Sequence, residues 1–263
     1  MLRRKYIRPQ SMAALWSPRC GGLALCLLGA VIFLHHFEFI SAASLPYFIA
    51  VIGSAALISL LLAAAGLIDL WRFGAKGGMA SLGGLALALP VLALLLGIGA
   101  AWLIFPPLYD ISTDLRNPPI FLPGQRPDNA LPPRVFFTVD DAAQQSGFWP
   151  DLSGRRYEGS PDNVLRAVKA VLKAERWPIN MEAGAAGESR YIYVGALAKT
   201  PIMGFSSDII IRITDEGDTS FVDVRAAARS LLQDFGIDAR ESLDFLNRLD
   251  SAMLLLPDND AAN

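Results

Sequence analysis

Up to residue 105 the apolar residues of this chain run on almost unbroken. Beyond it they recur in short periodic groups interrupted by charge and proline. Residues 45–68 give 24 positions without a charge and residues 79–105 give 27. Each run is long enough for a helix across a bilayer, which needs about 20 apolar residues. Pro90 lies inside the second run and is expected to kink its helix, because proline removes a backbone donor. The first run, residues 20–34, has 15 positions and reaches spanning length only when extended to residue 40. That extension places His35, His36 and Glu38 at the headgroups. The competing reading is a signal peptide, cut after the small residues Ser41, Ala42 and Ala43. The pattern thus predicts an all-α transmembrane region, with spans over about residues 20–40, 45–68 and 79–105, or two spans if the first is removed. Its many Gly and Ala residues would let the helices approach closely.

After residue 105 the pattern changes. Residues 106–134 hold eight prolines, a density that favours extended chain, so this stretch reads as a strap or stiff spacer. Residues 135–139 read as a short strand and residues 147–156 as loop. Ser160-Pro161-Asp162 opens a helix, with Ser as N-cap, Pro at the first helical position and an acid in the first turn. Val164, Leu165, Val168, Val171 and Leu172 continue it at helical spacing, and Pro178 closes it. Strands follow at residues 179–183, 191–198, 209–214 and 220–224. A terminal helix at 237–256 carries Leu243, Leu246, Leu249 and Leu254 on or near one face. Helix, strands and helix in that order predict an α+β soluble domain with a mainly antiparallel sheet over residues 135–256. Residues 257–263 read as a disordered tail.

The last two strands are joined at Asp215-Glu216-Gly217-Asp218. With Glu216-Gly217 as the two-residue loop, Arg212 faces Phe221, Ile210 faces Asp223, and Asp208 faces Arg225. Alternation puts Ile209, Ile211, Ile213, Val222 and Val224 on a core face. Asp208, Arg212, Asp223 and Arg225 fall on the opposite face with Ile210 and Phe221. Two readings stand for these four charges. One is a ladder of ion pairs. The other is a shallow site for an anionic or zwitterionic ligand, with Arg212 and Arg225 as clamps. Covering by the strap, with every charge paired, would count against the ligand.

Charge adds orientation. Five Lys/Arg lie in residues 1–19 and two more, Arg72 and Lys76, between the second and third runs; the stretch from 35 to 46 has none. Positive residues stay in the cytoplasm, so residues 1–19 form a cytoplasmic basic tail and the chain after residue 105 lies outside. The expected location is a bacterial inner membrane with a periplasmic C-terminal domain. No acid or base interrupts residues 45–68 or 79–105, which disfavours an ion or proton path. Residues 106–263 carry 16 basic and 23 acidic residues, a formal charge of −7, and nucleic acid is not expected as a partner.

Candidate chemistry is sparse. The two cysteines, Cys20 and Cys26, lie in the first apolar run, and the two histidines lie at its end. No histidine triad, zinc cluster, phosphate loop or nucleophile elbow is present beyond residue 105. No metal and no cofactor are expected. Asp110 and Asp114 with Thr113 could act as paired carboxylates, but Asp, Ser and Thr in a turn usually bond their own backbone.

Asp110-Ile111-Ser112-Thr113-Asp114, followed by Asn117-Pro118-Pro119 and Phe121, resembles the opening signature of the domain-of-unknown-function 1499 family. Trp149-Pro150-Asp151-Leu152 resembles its Tyr-Pro-Asp element. Phe205, Asp208 to Arg212 and Val222 to Arg225 resemble its strand block. The resemblance covers about residues 106–252 and implies a membrane-anchored bacterial envelope protein without an assigned activity. Two departures stand out: Arg225-Ala226-Ala227-Ala228-Arg229 lacks the hydroxyls of an Arg-Ser-x-Ser-Arg run, and Asp238-Ala239-Arg240 replaces an Asn-Ala-Arg element. The expected role is non-enzymatic binding, with the bilayer and an envelope protein or lipid as partners. The alternatives are an envelope hydrolase or lipid-modifying enzyme using Asp110 or Asp114 with an arginine, and a lipid or small-ligand carrier.

Overall fold

The computed structural model describes residues 8–255, and the chain divides after Ala101 into two compact units. The first holds three helices, α1 (Met12–His36), α2 (Leu45–Phe73) and α3 (Gly78–Ile104), each long and apolar enough to cross a membrane. α1 begins at Met12, eight residues before the uncharged run. Ser11 caps it by accepting a bond from the Ala14 N–H, and Pro18 is taken inside the helix. Most buried positions of this unit are small: Ala14, Ser17, Gly21 and Ala24 on α1, Ala56, Ser59, Ala63 and Gly66 on α2, Ser81, Gly84 and Ala88 on α3, with Val31, His35, Leu45, Ile52 and Val91 the larger ones. Small side chains bring backbones close enough for polar contacts. The Ser17 hydroxyl donates to the Ser59 carbonyl at 3.1 Å, and the Ser59 hydroxyl returns the bond to Ser17 at 2.8 Å. Large apolar residues such as Leu61, Leu96 and Leu103 stay exposed, as suits helices facing lipid.

The second unit is an α+β domain around one antiparallel sheet. In order along the chain come β1 (Asp110–Ser112), α4 (Val139–Phe148), β2 (Arg155–Glu158), α5 (Pro161–Ala174), β3 (Ile179–Ala183), β4 (Tyr191–Lys199), β5 (Ser206–Asp215), β6 (Thr219–Ala228) and α6 (Ile237–Leu255). The sheet order is β1-β6-β5-β4-β3, and β2 also pairs with β6. Two short strands thus lie end to end along one edge of β6, with β1 against residues 225–227 and β2 against 219–222. The core lies between one face of the sheet and helices α5 and α6. Ile209, Ile211, Ile213, Val222 and Val224 meet Val164, Val168, Leu172, Phe245, Leu246 and Leu249 there, all fully buried. The Trp177 ring stacks on Phe245.

Several local expectations are corrected. Residues 135–139 form no strand. Thr138 instead caps α4 in a reciprocal box with Asp141. Gly147 and Phe148 belong to that helix, and Arg155 and Arg156 open β2 rather than ending a loop. Asp110–Ser112, inside the proline strap, is a strand. Ser160 occupies the N-cap of α5, but its side chain makes no cap bond. Leu254 is 87% exposed and lies off the buried face of α6. The stretch 257–263 lies outside the described residues.

The hairpin register is also shifted. The loop residues are Gly217 and Asp218, because the Glu216 N–H bonds the Thr219 carbonyl and Gly217 takes φ +90°, a conformation natural to glycine at the first loop position. Arg212 therefore faces Asp223, Ile210 faces Arg225, and Asp208 faces Ala227. The shift is two residues, one full side-chain period, so every residue keeps its face.

Candidate functional site

The face of the sheet turned away from the helices carries the charges singled out in the sequence, and the proline strap lies over them. Asp208, Arg212, Asp223 and Arg225 are 0, 6, 2 and 4% exposed. Charges this deep must find partners, since removing an ion from water costs several kcal/mol. The strap supplies most of them.

Arg225 forms a two-pronged pair with Asp110: Nε donates to Oδ1 at 2.9 Å and Nη2 to Oδ2 at 2.8 Å. Its Nη1 donates to the Pro119 carbonyl at 3.0 Å. Arg212 bonds the Asp223 carboxylate across the hairpin at 2.6 Å, then reaches Asp114 at 3.0 Å and the Asn117 carbonyl at 2.9 Å. The Thr113 hydroxyl donates to Asp223 at 2.9 Å and accepts from the Val224 N–H at 3.0 Å. Asp208 does not meet Arg225. It takes two bonds from Arg229, at 2.7 and 3.0 Å, and a third contact from Arg126 at 3.1 Å. Phe121 lies under two guanidinium groups, those of Arg126 and Arg225, each 5.0 Å from its centroid.

The Asp-Ile-Ser-Thr-Asp segment splits into two kinds of residue. Asp114 turns the chain, accepting the N–H groups of Arg116 and Asn117, and Ser112 bonds the Asp114 backbone. Asp110 and Thr113 instead reach across to β6. The outer edge of β1 is closed by a side chain: Gln145 of α4 accepts from the Ser112 N–H and donates to the Ser112 carbonyl, as a neighbouring strand would. Pro118 and Pro119 leave their carbonyl-rich backbone free to accept from the arginines, and Pro119 does so.

Electrostatics follows from this packing. Burial works against the Arg212 charge, but Asp223 and Asp114 outweigh it and hold its pKa above the ordinary value. For Arg126 burial dominates, and Asp208 and Asp110 do not restore the loss, so its pKa falls. Asp141 is desolvated too, yet the Thr138 hydroxyl and N–H together with Arg134 hold its carboxyl below the usual range.

Sequence reasoning missed Arg126, Arg229, Gln125 and Gln145. Gln125 is the most informative of these. Its side-chain amide donates to the Ile209 carbonyl at 2.8 Å and lies over Gly195, where any Cβ would sit within 2.8 Å of it. A glycine inside a strand marks such close approach. That signal is present in the sequence at Gly195, but nothing local names the partner. Chemically, the arrangement fastens. The carboxylates of Asp110, Asp114, Asp208 and Asp223 are all bonded to guanidinium groups. Among the described residues, no group of three or more His, Cys, Asp or Glu side chains is placed to hold a metal.

No curated protein matches the chain. The family described as Protein of unknown function (DUF1499) matches residues 110–249, from β1 within the strap to Leu249 of α6. That match takes in all six strands, helices α4 and α5 and most of α6, and the chain belongs to the DUF1499 family.

Proposed function

We propose that this chain is a bacterial inner-membrane protein whose C-terminal domain faces the periplasm and acts by binding an envelope protein or lipid component rather than by catalysis. The observation that carries this reading is the consumption of Asp110 and Asp114. A catalytic carboxylate needs to stay near a substrate and free to take or give a proton. Both of these are held by arginines under a strap, Asp110 by Arg225 and Asp114 by Arg212. The same geometry favours fastening over ligand capture for Asp208, Arg212, Asp223 and Arg225. A carrier role is disfavoured because Phe245, Leu246, Leu172 and Trp177 fill the space under the sheet.

Orientation draws support from the first unit. Arg72 and Lys76 flank the connection between α2 and α3, and Lys76 donates to the Pro9 carbonyl and accepts from Ser11 N–H. The chain entering α1 at residues 9–11 therefore lies at the same end of the helices as the basic loop between α2 and α3, which supports the positive-inside reading. An odd number of spans puts residue 106 onward on the other side. The test uses the full chain with Cys20 and Cys26 replaced by Ala and one cysteine placed at exposed Ser146. A membrane-impermeant maleimide should label it in cells whose outer membrane is permeabilised. Labelling only after the inner membrane is broken would overturn the periplasmic placement. Photo-crosslinking from the domain surface in the same cells should then yield a discrete adduct; hydrolysis of a lipid or ester substrate abolished by Asp114→Asn would overturn the non-catalytic reading.

A further inference from the structure

One cleft in the domain has the opposite character to the strap face. It lies between the loop leading into β2 and the outward face of α6, and its volume is about 520 Å³. Pro150, Asp151, Ser153 and Arg155 form one wall; Arg240, Leu243, Asp244 and Asn247 form the other. The helix positions are i, i+3, i+4 and i+7, one stripe of α6. The loop is held from below. Leu152 is buried in the core, and Gly154 sits so close to the Phe221 ring that an added Cβ would come within 2.5 Å of it. The Arg155 guanidinium is fixed in place, donating to the Ser153 carbonyl at 2.8 Å and lying 3.5 Å from Asp250.

Most arginines of this domain are consumed internally, Arg126, Arg134, Arg156, Arg212, Arg225, Arg229 and Arg248 by carboxylates. Arg240 has no such partner among the described residues, and neither Asp151 nor Asp244 has a cation. Arg240 and Asp244 are one turn apart, but in the order that favours pairing less, and no bond joins them. The cleft therefore offers both guanidinium and carboxylate groups, with the Asn247 amide and the Ser153 hydroxyl on its walls and Leu243 and Pro150 as its apolar surface. A purely anionic ligand would meet Asp151 and Asp244; a purely cationic one would meet both arginines. No aromatic ring lines the cleft to stack a sugar.

From these groups we infer that the cleft binds a zwitterion of the amino-acid type, a free amino acid or the unblocked end of a short peptide. Arg240 takes its carboxylate, and Asp244 with Asp151 takes its ammonium. The inference rests on reading the domain as a binder, and not on the compartment. The volume suits a ligand from one to a few residues.

The test is calorimetry on the full chain in nanodiscs, with alanine, Ala-Ala and Ala-Ala-Ala as probes, each also in N-acetylated and C-amidated form. An unblocked probe should bind, and blocking either end should weaken it by about tenfold or more. Arg240→Ala should erase the penalty for amidation and leave that for acetylation; Asp244→Ala should do the reverse. Both side chains are exposed, and an unchanged melting curve verifies each variant's fold. Tightest binding by alanine identifies a free amino acid as the source, and by the longer probes a peptide end. The inference is overturned if no unblocked probe binds, if capping has no effect, or if both variants bind as the parent does. A crosslinked partner retained in the double variant Arg240→Ala/Asp244→Ala would show binding elsewhere and sink this site alone.

Discussion

The two faces of the one sheet are held by different physics. On the helix side, apolar side chains exclude water without directional bonds. On the strap side, charges excluded from water are matched one by one. The first face tolerates substitution of one apolar group for another of similar volume, because burial is roughly proportional to area. The second does not, because each charge removed leaves its partner buried and unpaired. An irregular, proline-rich segment cannot bury a broad apolar stripe, and its carbonyls and carboxylates find donors in the arginines of β5 and β6 instead.

Variants can break this contrast, and urea unfolding of the full chain in mild detergent, followed by near-ultraviolet circular dichroism, reads them. On the strap face Arg225→Ala is expected to cost about 3–5 kcal/mol, because Asp110 is left buried without the guanidinium that bonds both its oxygens. Adding Asp110→Leu with Arg225→Met should recover a large part of that loss; a double variant less stable than Arg225→Ala would overturn the account of the pair. On the helix face Phe245→Ala should cost a similar amount, about 3–5 kcal/mol, with no such rescue by a second substitution.

A third experiment concerns acids at the start of α6. Burial, reinforced by the Asp234 charge, pushes the Asp238 carboxyl well above the usual range, and the Ser207 side chain offsets only part of that rise. Burial and the charges of Asp234, Glu175 and Asp244 push Glu241 up to about 7. A raised folded pKa means the folded state holds its proton longer than the unfolded chain, so stability is fullest below the unfolded value near 4 and falls as pH rises through the folded value. Thermal melts should therefore show the parent losing Tm from pH 5 to pH 8. Glu241→Gln should remove the part of that loss that accumulates up to about pH 7, and Asp238→Asn should remove a further part. A parent Tm that climbs over this range would refute the sign.

Smaller effects are expected away from both faces. Thr138→Ala removes the α4 cap and should cost about 1 kcal/mol. Lys169→Ala breaks an ion pair with Glu182 whose side chains are 41 and 44% exposed, and should change stability by less than about 1 kcal/mol.

Periodic elements were legible. The spacing of Val164, Val168 and Leu172 reads as α5, and the alternation at Ile209, Ile211 and Ile213 reads as a strand with one core face. The Asp208/Arg212/Asp223/Arg225 face was legible for the same reason, since a two-residue slip preserves sides. Its partners were not: Asp110 is 115 residues from Arg225, and no local pattern links them. Helix α4 escaped because its ten residues, Val-Asp-Asp-Ala-Ala-Gln-Gln-Ser-Gly-Phe, have almost no apolar stripe. The pattern Thr138-x-x-Asp141 was its one available signal. Strand β2 is four residues with two adjacent arginines, too short for alternation to speak.

The separation between Asp110 and Arg225 also sets an order in time. The strap is made before any of the strands it closes against, and β1 has no partner until β6 exists. Long loops close slowly and against entropy. Docking of the strap is thus a late event in folding, and until it happens Arg225 and Asp110 remain solvated and the open edge of β6 stays available to other chains.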